Sequence, residues 1–378
     1  MRSLLLFLLP VLSAPLLAQP PAVQAPPVPA VAARAYLLID MNSDQVLAAR
    51  EPQARVEPAS LTKLMTAYLT FSALKQNRLR LDQPVAVSER AWRARGSRMF
   101  VEPGKPVTIE QLMHGMIVQS GNDACIALAE TIAGSEEAFA VLMNREAQRL
   151  ELKSTRFVNA TGLPDPQHYS TAEDLAKLAA AVIRDFPEYY PLYSQKEYRY
   201  NNITQANRNR LLWTDPTVDG IKTGYTENAG YCLVTSARRG ERRLLSVVLG
   251  AASEAARAAE SQKLLNHGFL SYDGVRLYPG RQPVTTLTVY KGVVDGVKAG
   301  LLADLHLTVP RGTSDRLRAT VVSMQPLVAP ISVGQRVGTM KLTLDGTPLR
   351  EIPVVALEHV PVAGFFGRGW DSLRLLFQ

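Results

Sequence analysis

Pro58-Ala59-Ser60-Leu61-Thr62-Lys63-Leu64-Met65-Thr66-Ala67-Tyr68 places a serine three residues before a lysine, at the start of an apolar-periodic run. The periodicity predicts a helix over 60–75 that begins just after Pro58. Positions three apart share a helix face, so the hydroxyl of Ser60 and the amine of Lys63 can meet. Leu, Met and Tyr around the amine desolvate it, and desolvation lowers a lysine pKa. A neutral lysine can take the serine proton and leave a nucleophile. The pattern alone is weak, because Ser72 and Lys75 repeat it in the same segment. Ser60 differs by position: at the N-terminal end of the helix, free N–H groups and the dipole stabilise negative charge.

Outward from this helix, 35–40 (A-Y-L-L-I-D) reads as a strand, 41–44 as a turn and 45–49 as a returning strand. Helices are expected at 108–119, with Thr108 and Gln111 in capping-box spacing, and at 122–132, closed by Gly134. Another runs from Thr171 and Asp174 to 183. From 218 the pattern turns to strands, joined by the basic hairpin 238–243, and a helix follows at 253–266. Strands at both ends with helices between them predict an α+β domain: one antiparallel sheet packed with helices. After about residue 272 short alternating segments recur, with Asp345-Gly346 as a hairpin turn, so a small all-β sandwich is expected there.

The ends address the chain. Arg2 and the apolar run 4–12, followed by small residues and a plausible cut after Ala18, form a secretory signal too short to span a membrane. Pro20, Pro21, Pro26, Pro27 and Pro29 mark an extended linker. At the other end Phe366, Trp370, Leu373 and Phe377 fall on one helical face, and Arg368, Asp371 and Arg374 lie off it. That is the pattern of a helix lying in a membrane interface, with docking on the β domain as the alternative. The expected organisation is signal 1–18, linker 19–33, first domain 34–272, β domain 273–362 and amphipathic anchor 363–378.

The 378 residues carry 42 Lys and Arg against 34 Asp and Glu, a net charge of +8 that favours anionic surroundings. No long basic block occurs, which disfavours nucleic acid. Cys125 and Cys232 fit no zinc spacing. Export leaves a disulfide open, but their apolar neighbours favour two buried free thiols.

Two further motifs follow in the same domain. Gln119-Ser120-Gly121-Asn122-Asp123 breaks two apolar helices and offers a hydroxyl and an amide, suited to proton relay and substrate binding or simply to helix capping. Ile221-Lys222-Thr223-Gly224-Tyr225 offers a charge, a hydroxyl and, at Gly224, a strand edge free of a side chain where an extended peptide could pair. The order Ser-x-x-Lys, Ser-x-Asn, Lys-Thr-Gly is that of penicillin-binding proteins and class A β-lactamases. With N-R-N-R-L-L-W at 207–213 and V-D-G-I-K-T-G-Y-T at 218–226, the chain resembles the low-molecular-mass penicillin-binding proteins of the 5/6 group, which are D-alanyl-D-alanine carboxypeptidases. The resemblance extends over nearly all of the mature chain, including the β domain and the terminal helix.

This resemblance implies that Ser60 is acylated, that Lys63 is its base, and that Ser120 and Asn122 relay a proton and hold the substrate amide. Lys222, Thr223 and Gly224 would line the site, and the backbone N–H groups of Ser60 and Tyr225 would form an oxyanion hole. Arg257 would bind the terminal carboxylate, with Arg208 near the cleft. Some members carry His where this chain has Tyr225. The implied protein is a periplasmic serine carboxypeptidase that removes the terminal D-Ala from peptidoglycan stem pentapeptides and is acylated by β-lactams. It would be held on the outer face of the inner membrane and would need no metal or cofactor. The nearer rivals are a DD-endopeptidase and a non-catalytic β-lactam-binding scaffold. A class A β-lactamase would carry a deacylating Glu in E-x-x-x-N soon after the second motif. Glu197 and Asn201 have that spacing, but they lie far past Ser120 and alternate like a strand. G-x-S-x-G and H-E-x-x-H are both absent.

Overall fold

The computed structural model describes residues 25–364; the expected signal 1–18, the first part of the linker and all but the first two residues of the expected anchor helix lie outside the described residues. Two compact units form. One comprises Pro26–Leu277 and Leu305–Gly312, and the other Tyr278–Asp304 and the described residues from Thr313 onward.

The first unit is built on a five-stranded sheet of β1 (Ala35–Asp40), β2 (Gln45–Arg50), β3 (Val218–Thr226), β4 (Gly230–Arg239) and β5 (Arg242–Ala251). The order is β2-β1-β5-β4-β3, antiparallel throughout, with β3 at an edge. Successive strand residues face opposite sides. Leu37, Leu245 and Val247 therefore join one core, while Leu38, Leu244 and Val248 join another across the sheet. Both faces are covered, which is why the central strands read as continuous apolar runs.

The longer helices of this unit are α1 (Lys63–Lys75), α2 (Ile109–His114), α3 (Asn122–Ala133), α4 (Glu136–Arg149), α5 (Ala172–Asp185) and α6 (Glu254–Ser271); α5 and α6 pack directly on the sheet, and α1 to α4 pack largely on one another. Helix α1 is buried nearly all round: Leu64, Met65, Phe71 and also Thr66 and Thr70 are inaccessible. The predicted capping box forms, with the Gln111 N–H donating to Thr108 Oγ1 at 3.2 Å and the Thr108 N–H to Gln111 Oε1 at 3.0 Å. Gly134 closes α3 at φ 82°, as expected. Helix α4 was not anticipated, although Ser135 caps it and Glu136 and Glu137 occupy its first turn, both legible signals. Helix α6 runs past the expected end at 266. Gly268 lies inside it because a Cβ there would sit 2.5 Å from Leu244 Cδ1, so the missing side chain lets the helix settle on the sheet.

The helix expected over 108–119 changes character after His114. Gly115–Gln119 forms a π-helical turn, and Ser120 follows at φ 65°. The wider turn and the left-handed residue swing Ser120 out of the helix line and into the site.

Within the expected β domain, Leu305–Pro310 pairs with Tyr272–Tyr278 and belongs to the first unit. Thr308 Oγ1 donates to the buried carboxylate of Asp40 at 2.9 Å, and Arg242 Nε donates to the same oxygen at 2.6 Å. The second unit is a six-stranded sheet in the order Leu317–Ser323, Arg336–Leu344, Thr347–Ala356, Gly296–Gly300, Pro283–Tyr290, Leu327–Val328. Its last pair is parallel. Asp345 and Gly346 make the expected hairpin turn at φ 50° and 78°. Both cysteines are free and buried. Among the described residues no helix is long and apolar enough to cross a membrane.

Candidate active site

Ser60 sits in a 3₁₀ turn, Ala59–Thr62, and the α-helix begins only at Lys63, three residues later than the sequence reading placed it. The tighter turn eclipses positions i and i+3, which brings Ser60 and Lys63 directly together. Lys63 Nζ lies 3.0 Å from Ser60 Oγ. Its other neighbours are Asn122 Oδ1 at 2.7 Å and the Thr161 carbonyl at 2.6 Å. All three partners are uncharged oxygens. The side chain is only 1% exposed, so its charge finds neither water nor a carboxylate at contact. Burial pulls its pKa from 10.5 down to about 8. A neutral amine has two hydrogens and one lone pair. Donating to Asn122 and Thr161 leaves the lone pair to accept the Ser60 O–H, so the hydrogen count matches a general base.

The second serine–lysine pair comes from two distant elements. Lys222, on β3, donates to Ser120 Oγ at 2.9 Å and to the Thr223 carbonyl at 3.1 Å. Burial, then the charges of Lys63 and Arg208, holds its pKa well below the ordinary lysine value. Asn122 is held at three points: its Oδ1 accepts from Lys63, its Nδ2 donates to the Arg95 carbonyl at 2.6 Å, and its N–H donates to the Ser97 carbonyl at 2.7 Å.

A cleft of about 220 Å³ opens here, lined by Ser60, Ser120, Asn122, Arg208, Thr223, Gly224, Tyr225 and Arg257 among others. Lys63 and Lys222 stand behind the two serines, so the cleft gathers all ten residues singled out in the sequence. Gly224 is needed bare, because a Cβ would lie 3.1 Å from the Pro58 carbonyl and 3.3 Å from Ala59 Cβ. Tyr225 is exposed, its ring 4.4 Å from that of Tyr231. Arg257 is buried; its Nη1 reaches the Gly224 carbonyl at 3.5 Å, and burial lowers its pKa. No Asp or Glu is among the described lining residues. The guanidinium groups of Arg208 and Arg257 line a cleft without a lining carboxylate and attract a carboxylate ligand. Among the described residues no cluster of His, Cys, Asp or Glu is placed to hold a metal.

The spare pair resolves plainly. Ser72 accepts from Gln76 Nε2 at 3.0 Å, and Lys75 turns to the Asp185 carbonyl at 2.7 Å. Lys75 is exposed and does not line the cleft.

Three supports escaped the sequence reading. Thr161 offers only its backbone carbonyl. Gly162, at φ 82°, lies so close to the serine turn that a Cβ would fall 1.8 Å from the Ala59 carbonyl oxygen. Asp123 is buried and accepts the N–H groups of Met99, Phe100 and Val101 at 2.9, 2.8 and 3.2 Å. The turn Asn159-Ala160-Thr161-Gly162 carried a signal, since Asn159 Oδ1 takes the Gly162 N–H at 2.7 Å as such turns do.

Residues 21–253 match the model of the family described as D-alanyl-D-alanine carboxypeptidase. Residues 272–362 match that of the C-terminal domain of penicillin-binding protein 5. The chain is 43% identical over 358 residues to the D-alanyl-D-alanine carboxypeptidase DacC of Escherichia coli (strain K12), with 93% of this chain and 90% of the relative covered. Its structure is similar to that of penicillin binding protein 5 from Haemophilus influenzae, with a TM-score of 0.86 and 39% identity over 88% of this chain and 98% of the other. It is also similar to the ampicillin-bound form of Penicillin-Binding Protein D2 from Listeria monocytogenes, with a TM-score of 0.60 and 29% identity over 65% of this chain and 100% of the other.

Proposed function

The chain belongs to the D-alanyl-D-alanine carboxypeptidase family, and from that premise we propose that Ser60 is the residue acylated in each turnover. The protein is a serine hydrolase of the bacterial cell wall, and the bond it cuts joins the two terminal D-alanines of a peptidoglycan stem peptide. The substrate lies along the outer edge of β3, and its terminal carboxylate meets Arg257, Arg208 and the Thr223 hydroxyl. Lys63 takes the Ser60 proton as Oγ bonds to the carbonyl carbon of the penultimate D-Ala. The N–H groups of Ser60 and Tyr225 hold the oxygen that becomes negative. The C–N bond then breaks, and the leaving amine receives its proton through Ser120, which Lys222 orients. Water attacks the ester, Ser60 regains its proton and the shortened peptide leaves.

A β-lactam acylates the same serine, but its leaving group stays tethered. The tethered group stays beside the ester where water would approach, and no carboxylate lines the described cleft as an additional base, so that acyl-enzyme persists.

What carries the reading is the buried Lys63 amine, bonded only to neutral oxygens and 3.0 Å from Ser60 Oγ. The test is D-alanine release from a stem pentapeptide. Release by the protein and none by Ser60→Ala is the expected result. A Ser60→Ala variant that still released D-alanine would overturn the assignment. The relatives' cell-wall chemistry lies outside the cytoplasm. We place this chain in the periplasm, exported by residues 1–18 and held at the inner membrane by 363–378. A chain ending at Val362 is expected to leave the membrane fraction; its retention there would count against the anchor.

A further inference from the structure

Among the described residues four Phe, Trp or Tyr side chains are exposed: Trp92, Phe100, Trp213 and Tyr225. Two of the four, Trp92 and Phe100, line one groove of about 440 Å³ together with Arg98, Val101, Glu102 and Pro103. The groove continues the catalytic cleft along the chain, since Gly96 and Ser97 of the same loop line that cleft.

The loop is held rigidly. Asp123, on α3 beside Asn122, takes three consecutive N–H groups from residues 99–101, and Gln205 Nε2 donates to the Arg98 carbonyl at 3.2 Å. Phe100 sits at φ 69°, a backbone cost for a bulky residue. The residue is 36% exposed, so the strained backbone holds the ring only partly buried. The strain holds an aromatic face toward solvent beside the guanidinium of Arg98, whose carbon lies 5.2 Å from the ring centre. Trp92, 41% exposed, presents a second face from the one-turn helix Glu89–Trp92.

Flat apolar faces flanked by a guanidinium and a carboxylate match a sugar ring, which has C–H faces and polar edges. A lipid chain would leave the Arg98 guanidinium unmatched, while Glu102, held by Lys105 Nζ and Asn201 Nδ2 at 2.7 Å each, gives the groove a polar edge. The reach also fits. Arg98 of the groove directly follows Ser97 of the cleft and Val101 lies four positions on, so the groove begins within about 15 Å of the cleft wall. An extended pentapeptide spans about 17 Å. A stem peptide with its C-terminus at Ser60 is thus long enough for its N-terminal end, the end bonded to the glycan in peptidoglycan, to reach this groove.

We infer that the groove between Trp92 and Phe100 is a subsite for the glycan strand of peptidoglycan, an N-acetylated amino-sugar polymer. It rests on the carboxypeptidase reading. The test compares D-alanine release from a free stem pentapeptide and from the same peptide attached to glycan, using the full chain. The enzyme prefers the glycan-linked substrate through KM. Trp92→Ala or Phe100→Ala raises that KM about tenfold with kcat unchanged, and the preference over the free peptide disappears. Trp92→Tyr restores most of it. In the unmutated protein, peptide-free glycan strands compete with the linked substrate but not with the free peptide. This second measurement stands if a variant fails to fold. Equal KM for both substrates in the unmutated protein, an equal fall on both in the variants, or absence of competition overturns the subsite. If the unmutated protein released nothing from the free pentapeptide, the carboxypeptidase reading would fall instead.

Discussion

Lys63→Met is expected to slow acylation of Ser60 by labelled penicillin about a thousandfold, the scale of a lost general base. The unmutated protein should acylate faster as pH rises, tenfold per unit, and level off above about 8, where the Lys63 amine is neutral. Only the deprotonated form can accept the Ser60 proton, so the sign is fixed: acid removes the base. Lys63→Arg should fail as completely, because a guanidinium does not deprotonate. A stopped-flow pH profile decides the matter. A loss under tenfold, or an inflection that survives in Lys63→Met, would assign the base elsewhere. Stability should move the other way. A buried amine whose pKa falls from 10.5 to about 8 costs the fold about 3 kcal/mol below pH 8, and this cost fades as pH rises toward 10.5. Methionine removes that cost but strands the Asn122 and Thr161 acceptors at about 1–3 kcal/mol each, so Lys63→Met should unfold close to the parent temperature. The site trades stability for a reactive base.

Gly162→Ala is expected to cost about 3 kcal/mol of stability and to slow acylation about a hundredfold. Part of the stability loss is the left-handed backbone at φ 82°, a cost of about 1 kcal/mol or more for a residue with a Cβ. The rest is steric: the new methyl would lie 1.8 Å from the Ala59 oxygen and 2.9 Å from Thr62 Oγ1, so the turn holding Ser60 must move. A shift of about 1 Å at a nucleophile costs about a hundredfold. Gly134→Ala is the control. It has the same φ of 82° but nothing within 4 Å, so it should lose only the backbone share and acylate normally. Melting temperature and acylation rate of the two variants, measured together, separate strain from misplacement. Normal acylation by Gly162→Ala would mean that the serine turn does not depend on this contact.

What could be read in the sequence was what repeats locally. Alternation gave the strands, and the three spaced motifs gathered the hydroxyls and amines. Capping residues marked α2, α3 and α5. The parts that stayed hidden act through backbone groups or across long separations. The Thr161 carbonyl has no side-chain signature. Asp123 looks like one more acidic residue in a first helical turn, yet its carboxylate organises a loop more than twenty residues upstream. The π turn before Ser120 is apolar and helical in pattern, and only the positive φ of Ser120 distinguishes it. The two Ser-x-x-Lys copies differ in what surrounds them: Lys63 is buried beneath Thr161 and Asn122, while Lys75 faces solvent.

A polypeptide cut at residue 272 would contain every residue of the cleft and still lack a piece of its own unit. Leu305–Pro310 would be gone together with nearly all of its partner strand Tyr272–Tyr278, leaving buried Asp40 without the Thr308 hydroxyl. A buried carboxylate that loses one of its donors destabilises the fold. The boundary along the gene and the boundary of folding therefore do not coincide. Replacing the C-terminal region of this chain with another sequence replaces a strand of the catalytic unit as well, and such a chimaera must keep a donor to Asp40 at position 308 before its activity is compared with the parent's.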